Sequence, residues 1–261
     1  MKIGFFDSGL GGLTILKAVA AALPDYDYEF YGDTANLPYG DKSEAEIFAL
    51  TKAGVLHLLQ RDCALIIIAC NTASAETLRQ LQDTILTDEY ESRRLLGVII
   101  PTIEEVLASD LSSVALIGTK RTIDSGKYDL EFAKADSQVQ LITMATPELV
   151  PLIEVGNLEA ANVSVHISVE QFRAAGAEGL ILGCTHYTLL KENLRKAFDS
   201  EFRIFSQDEI IPAKLMDYLA RHGEMETTLT RGGKRTIYLT NTDACYDRAI
   251  ASLLGGIPLL D

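Results

Sequence analysis

Two cysteines in this sequence stand where a thiol could act as an acid or a base. Cys70 follows a continuous apolar run at residues 64–69, and Cys184 follows a second apolar run that begins at Leu180. Small polar residues come next in both places, which predicts that a buried strand meets a helix N-terminus there. The partial positive charge and unpaired N–H groups of such a terminus stabilise a thiolate. We therefore expect both thiols to react near neutral pH.

Polar side chains close to the two cysteines could assist them. His186 lies two residues after Cys184, and Asp7 ends the first apolar run, residues 3–6. A Cys-x-His spacing can indicate zinc, but a structural zinc site needs four ligands and the sequence holds no second cluster. We expect His186 to orient or protonate a polar group beside Cys184. Asp7 is either the stabiliser of an Asx turn or a carboxylate close to one of the cysteines.

The remaining cysteines and histidines are expected to pack rather than react. Cys63 comes before a predicted strand, and Cys245 lies in the last predicted helix. Buried thiols in such places behave as small hydrophobic side chains. His57, His166 and His222 fall in helical segments without evident partners, so surface or packing roles are expected for them.

A glycine-rich segment at residues 9–12 follows Asp7. It matches neither the dinucleotide-binding fingerprint nor the P-loop, which argues against a nucleotide-dependent enzyme. We expect these glycines to let the backbone approach a small anionic ligand.

The elements that must position these residues alternate along the chain. Ser43 and Glu46 have the spacing of a capping box and predict a helix that runs to about Gln60. The alternation predicts parallel sheets with helices on both faces, in which ligands bind beyond the carboxyl ends of the strands. Because two apolar runs end in a cysteine, we expect two similar halves that face each other. Strands are predicted at residues 3–6, 28–31, 64–69, 95–100, 114–117, 139–142, 180–182, 203–205 and 236–239.

Composition and charge narrow the possible functions. The chain has 261 residues, of which 48% are hydrophobic, and this fits one large or two modest α/β domains. Its formal net charge of −14 argues against a general binder of nucleic acids or of anionic membranes. An acidic small molecule can still be held by backbone N–H groups at helix N-termini. No apolar run approaches the roughly 18 residues of a membrane span, so we expect a cytoplasmic protein.

A series of motifs follows in order along the chain: residues 6–12, 31–35, 38–40, 69–74, 117–119 with Ser125 and Tyr128, 150–154 and 183–187. With these motifs the chain resembles the cofactor-independent aspartate/glutamate racemases over essentially its whole length. The resemblance implies two similar parallel-sheet α/β domains with the active site in the cleft between them. The first domain would comprise residues 1–97 plus 208–261, and the second would comprise residues 98–207.

The resemblance also implies a mechanism without pyridoxal phosphate or a metal. One thiolate removes the α-proton of glutamate while the other thiol delivers a proton to the opposite face. Cys70 would act on the D-enantiomer and Cys184 on the L-enantiomer. Asp7 and His186 would assist Cys70 and Cys184 respectively, and Glu154 matches a further acidic residue near that site.

The implied activity is racemisation of glutamate, which would supply D-glutamate for peptidoglycan synthesis by a protein that commonly forms a homodimer. Two alternatives stay open: an aspartate racemase of the same group, and a non-catalytic homologue that binds amino acids. Two thiols argue against the second alternative, because binding alone does not need them. The implied substrate contacts are Asp7, Ser8, Tyr39, Gly40, Asn71, Thr72, Thr185 and His186.

Three segments depart from the pattern of the family. Thr188 stands where proline usually ends the second cysteine motif, and we expect it to cap the following helix instead. Thr146 precedes Pro147 where the family often has cysteine, a change expected to be neutral. Residues 206–209 lack the usual Asp-Ser pair, and this could alter the domain interface or closure over the substrate.

Overall fold

The computed structural model describes residues 1–135, 137–198 and 201–242, which contain nine strands and eleven α-helices. Cys245 and the end of the 208–261 segment lie outside the described residues. The strands are β1 (Lys2–Asp7), β2 (Tyr28–Gly32), β3 (Cys63–Ile68), β4 (Arg94–Gly97), β5 (Ser113–Gly118), β6 (Gln140–Ala145), β7 (Gly179–Gly183), β8 (Arg203–Phe205) and β9 (Arg235–Leu239). The helices are α1 (Leu13–Ala22), α2 (Glu44–Gln60), α3 (Asn71–Ile85), α4 (Ile99–Leu107), α5 (Lys120–Asp124), α6 (Lys127–Lys134), α7 (Leu149–Glu154), α8 (Leu158–Ala174), α9 (Lys191–Ala197), α10 (Gln207–Arg221) and α11 (Gly223–Glu226).

The strands form two parallel sheets, which confirms the predicted fold class. The first sheet has the order β4-β3-β1-β2-β9, and the second has the order β6-β5-β7-β8. Every pairing between neighbouring strands is parallel. The chain leaves the first sheet after β4 and returns to it after β8. The domain limits at 97/98 and 207/208 stay a prediction.

Both sheets are covered by helices, as continuous apolar strands require. All six residues of β3 are buried, and Ile67 and Ile68 belong to the cores on opposite faces of the first sheet. The capping box that opens α2 is confirmed. The Ser43 hydroxyl accepts a hydrogen bond from the Glu46 N–H, and the Glu46 carboxylate accepts one from the Ser43 N–H.

The strand predicted at residues 95–100 is too long. β4 ends at Gly97, and α4 begins at Ile99. The side chains of Ile99, Ile103 and Val106 recur at helical spacing and pack in one core cluster. A short apolar run does not by itself distinguish a strand from a buried helix, and here the helical period continues past the run.

The three histidines outside the cysteine motifs pack against aromatic rings. His57 contacts the rings of Tyr31 and Tyr238, His166 stacks on Phe198 and His222 stacks on Tyr218. They therefore have packing partners that the sequence did not reveal. Within the described residues, no helix combines the length and apolar character needed to cross a membrane.

We predict that Gly54→Ala destabilises the fold, although alanine normally favours a helix over glycine by about 1 kcal/mol. A Cβ at Gly54 would lie 2.5 Å from Cε2 of Phe6 and 2.8 Å from Cε1 of Tyr31, between α2 and the first sheet. The overpacking should lower the free energy of unfolding by about 1–3 kcal/mol in urea titrations. Gly223→Ala in α11 is the matched control, because a Cβ there meets no atom within 4 Å. Equal stability of both variants would contradict the prediction.

Candidate active site

A cleft between the carboxyl ends of the two sheets is lined by both Cys70 and Cys184. β3 leads into Cys70, and β7 leads into Cys184. The cleft therefore brings together two residues that are far apart in sequence. Asp7 and Glu154 do not line the cleft but lie behind its wall. The other residues predicted from the sequence line it: Ser8, Tyr39, Gly40, Cys70, Asn71, Thr72, Cys184, Thr185 and His186.

Cys70 caps the N-terminus of α3, as the sequence predicts. Its Sγ accepts a hydrogen bond from the N–H of Ala73 at 3.5 Å and lies 3.3 Å from Oγ of Ser8. The residue is only 5% exposed. Burial, helped by the nearby Asp7 carboxylate, raises the pKa of Cys70 to about 12, and the two hydrogen bonds offset only part of this rise. The expected thiolate is therefore not the resting form, and Cys70 rests as a thiol.

Cys184 stands at the start of a 3-10 helix, Thr185–Leu190, rather than of an α-helix. Its side chain makes no capping hydrogen bond. Instead, Sγ lies 3.7 Å from Nδ1 of His186. The sequence predicts a helix N-terminus directly after Cys184, but the α-helix that follows, α9, begins only at Lys191.

Thr188 does not replace the family's proline as a helix cap. It lies inside the 3-10 helix, where its hydroxyl donates to the carbonyl oxygen of Thr185 at 2.8 Å. The same hydroxyl lies 3.3 Å from Oγ1 of Thr14, on α1 of the first sheet. The expected capping role is therefore wrong, and Thr188 joins the cysteine turn to the opposite sheet.

His186 stands between a thiol and a carboxylate. Its Nε2 lies 3.2 Å from Oε1 of Glu154, while Nδ1 faces Cys184. Burial lowers the pKa of His186, but the hydrogen bonds to Cys184 and Glu154 outweigh it and hold the pKa at about 10. The imidazole is therefore protonated at neutral pH. Glu154 is 33% exposed, so this row of groups connects Cys184 with solvent.

Asp7 lies beneath the cleft and fastens loops from both sheets. One carboxylate oxygen accepts hydrogen bonds from the N–H groups of Gly9 and Gly12, at 3.2 and 3.1 Å. The other lies 3.4 Å from the Thr185 hydroxyl, which donates to it. Burial raises the pKa of Asp7, and the nearby His186 opposes the rise. Asp7 thus stabilises the glycine-rich turn, and its carboxylate also lies near enough to Cys70 to raise the pKa of that thiol. Both interpretations of Asp7 from the sequence therefore apply.

Two residues at the cleft have roles that the sequence did not reveal. Thr119 lines the cleft and lies 2.9 Å from the hydroxyl of Thr72, which joins the two sheets across it. Asp33 accepts a hydrogen bond of 2.6 Å from the Tyr39 hydroxyl and so holds that ring in place. Both belong to motifs that the family resemblance quotes, but only the fold brings each to its partner. Among the described residues, no group of three His, Cys, Asp or Glu side chains could hold a metal ion.

Comparison with known proteins identifies the relatives of this chain. Residues 13–208 match the Asp/Glu/Hydantoin racemase family. The chain belongs to this family. A relative from Jannaschia sp. (strain CCS1), named a glutamate racemase, is 39% identical over 238 residues, which cover 86% of this chain and 87% of the relative.

Solved structures of other family members share the fold of this racemase-family chain. A glutamate racemase isoform from Bacillus anthracis superimposes with a TM-score of 0.88 at 27% identity, covering 100% of this chain and 96% of that one. A glutamate racemase from Francisella tularensis in complex with D-glutamate gives a TM-score of 0.85 at 27% identity, with 100% and 97% covered. Both chains match this one over nearly their whole lengths.

We predict that Glu154→Gln lowers the pKa of His186, because the charged acceptor on Nε2 is lost. Since the pKa of His186 in the folded state lies above its unfolded value, protonation stabilises the fold fully below about pH 6.5. This contribution is lost as the pH rises through about 10. The stability difference between wild type and variant should therefore be largest near pH 6.5 and shrink toward pH 10. NMR titration of the imidazole and urea unfolding at several pH values measure both effects.

Glu170→Gln provides the matched control for Glu154→Gln. Glu170 faces His166 at 4.0 Å, but both side chains are about half exposed. Solvent screening makes such a pair weak, so its pH dependence should be small. Equal pH profiles for the two variants would contradict the account of His186.

Proposed function

We propose that the protein interconverts L- and D-glutamate by moving the α-proton between Cys70 and Cys184. One observation carries the proposal: both thiols line one cleft between the two sheets. Racemisation by two bases needs proton donors and acceptors on opposite faces of a single carbon. The relatives named glutamate racemases, one of them solved with D-glutamate, support glutamate as the substrate.

In the L-to-D direction, the Cys184 thiolate takes the α-proton and forms an S–H bond as the C–H bond breaks. The Cys70 thiol then gives its proton to the other face of the carbon, which forms a new C–H bond and leaves a thiolate on Cys70. The D-to-L direction exchanges the two roles. The resting thiol form of Cys70 suits its part as the acid in the first direction. Protonated His186 places a positive charge beside the sulfur of Cys184.

Burial of both sulfurs also supports the proposed proton transfer. Cys70 and Cys184 are 5% and 7% exposed, so little water competes for the thiolate. Removal of water strengthens charge interactions inside the cleft and raises the basicity of sulfur. The rise matters because the α-proton of an amino acid is only weakly acidic.

The cleft walls offer hydrogen-bond donors for two carboxylates. The N-terminus of α3 presents backbone N–H groups at Asn71 and Thr72. The hydroxyls of Ser8 and Thr119 also line the cleft, and so does Lys120, a cationic side chain that is paired with Asp124. Such a set binds acidic amino acids with few charged residues, in keeping with the negative charge of the whole chain.

An aspartate racemase of the same group is the second candidate. Its reactive pair would be the same, and only the depth of the pocket for the side-chain carboxylate would differ. Parallel assays with L-glutamate and L-aspartate separate the two. The supply of D-glutamate to peptidoglycan synthesis, the cytoplasmic location and the homodimer are further parts of this proposal.

We predict that Cys70→Ser and Cys184→Ser each slow glutamate racemisation by about 10²–10⁴-fold, because serine is far too weak an acid to replace the thiol. Circular dichroism of the amino acid follows the loss of optical activity. Cys63→Ser is the matched control, since Cys63 is a buried thiol on β3 that does not line the cleft. Near-normal turnover in either active-site variant would refute the role of that cysteine. A wild-type protein that racemises only aspartate would favour the second candidate.

A further inference from the structure

Four buried polar side chains form a hydrogen-bonded group where the chain crosses between the two sheets. Asn71 begins α3 on the first sheet, and Gln207 begins α10, which returns the chain to that sheet. Thr102 on α4 and Tyr128 on α6 come from helices packed against the second sheet. All four are at most 2% exposed. Gln207 falls in the segment where the sequence departs from its family.

The two amides pair reciprocally. Nδ2 of Asn71 donates to Oε1 of Gln207 at 2.8 Å, and Nε2 of Gln207 donates to Oδ1 of Asn71 at 2.8 Å. The Tyr128 hydroxyl donates a further bond of 2.9 Å to Oδ1 of Asn71. Asn71 is therefore held from two sides, by α10 and by α6.

The orientation of this pair is fixed by Thr102. The hydroxyl of Thr102 donates to the carbonyl oxygen of Val98 at 2.7 Å, so its proton is committed. It can then only accept from Gln207, whose Nε2 lies 3.4 Å away. The amide of Gln207 therefore faces Thr102 with nitrogen, and Asn71 must present its oxygen to the same nitrogen.

We propose that Gln207 is a positioning residue, which holds the first turn of α3, and with it the Cys70 thiol, in register with the second sheet. The inference rests on the racemisation proposed above. Asn71 follows Cys70 directly, and the same turn supplies the N–H of Ala73 that bonds Sγ. Because Cys184 belongs to the second sheet, the position of this turn sets the distance between the two sulfurs.

The test compares Gln207→Met with wild type. Methionine keeps the length and volume of glutamine but makes no hydrogen bond to Asn71, which leaves a buried amide without its partner. We expect kcat for glutamate racemisation to fall about tenfold, a rate change that corresponds to about 1.4 kcal/mol. Asp208→Asn is the matched control. Asp208 lies one residue further along α10 and pairs with Lys191 at 2.6 Å, outside the amide group.

A kinetic isotope effect locates the defect. If Cys70 is misplaced, the step in which it removes the α-proton becomes more rate-limiting. With α-deuterated D-glutamate, the primary isotope effect on Gln207→Met should therefore rise above that of wild type. With α-deuterated L-glutamate, whose proton Cys184 removes, it should fall. A general loss of folded protein would move neither value.

Gln207→Glu gives a second measurement should the methionine variant fold poorly. The neutral acid can still donate to Oδ1 of Asn71 and accept from Nδ2, but the carboxylate places a charge against Oδ1. Burial raises the pKa of such a carboxyl group, so activity relative to wild type should be highest at low pH and fall as pH rises. Asp208→Asn should show a flat ratio.

The possible results distinguish failure of the positioning role of Gln207 from failure of the proposed racemisation. If the wild-type protein racemises glutamate but Gln207→Met leaves kcat and both isotope effects unchanged, only the positioning role of Gln207 is overturned. The same holds if Asp208→Asn loses as much activity as Gln207→Met. A flat pH ratio for Gln207→Glu would do the same. Absence of racemisation in the wild-type protein would refute the proposed function, and the role of Gln207 with it.

Discussion

Two thiols are buried where the two parallel sheets meet, and the polar groups around the cleft must hold both of them there, out of water. A sulfur removed from water is a stronger base, but it is also harder to ionise. The groups that surround the sulfur differ between the two sides of the cleft. Cys70 has a serine hydroxyl and one N–H group beside it and stays protonated, whereas Cys184 faces a protonated histidine backed by a carboxylate. The two sides of the cleft are thus chemically unequal.

Bonds that cross between the sheets hold this arrangement together. Asp7 at the end of β1 accepts a hydrogen bond from Thr185 beyond β7, and Thr72 of α3 contacts Thr119 beyond β5. Each contact ties the turn that follows one cysteine to a strand end of the opposite sheet. Polar groups at such depth stay favourable only while every partner is in place. The relative position of the sheets is therefore tied to the polar groups that line and underlie the cleft.

Much of this could be predicted from the sequence because it depends on local patterns. Alternating apolar runs predict the parallel sheets, Ser43 and Glu46 predict the start of α2, and the two cysteine motifs predict one shared cleft. Three features could not be read in this way. The turn after Cys184 is a 3-10 helix that contacts the opposite sheet through Thr188 and Thr14. The pKa of Cys70 depends on burial that outweighs the helix terminus. The pair of Asn71 and Gln207 joins residues 136 positions apart.

If two bases stand on opposite faces of the α-carbon, the hydrogen that one base removes is not the hydrogen that the other delivers. A single turnover with enzyme in excess over α-deuterated L-glutamate, in ordinary water, distinguishes these two hydrogens. The account predicts D-glutamate that carries protium at the α-carbon, because the deuteron stays on Cys184 while Cys70 supplies a proton. D-glutamate that retains the deuterium would show that one group both removes and returns the hydrogen, and would contradict the account.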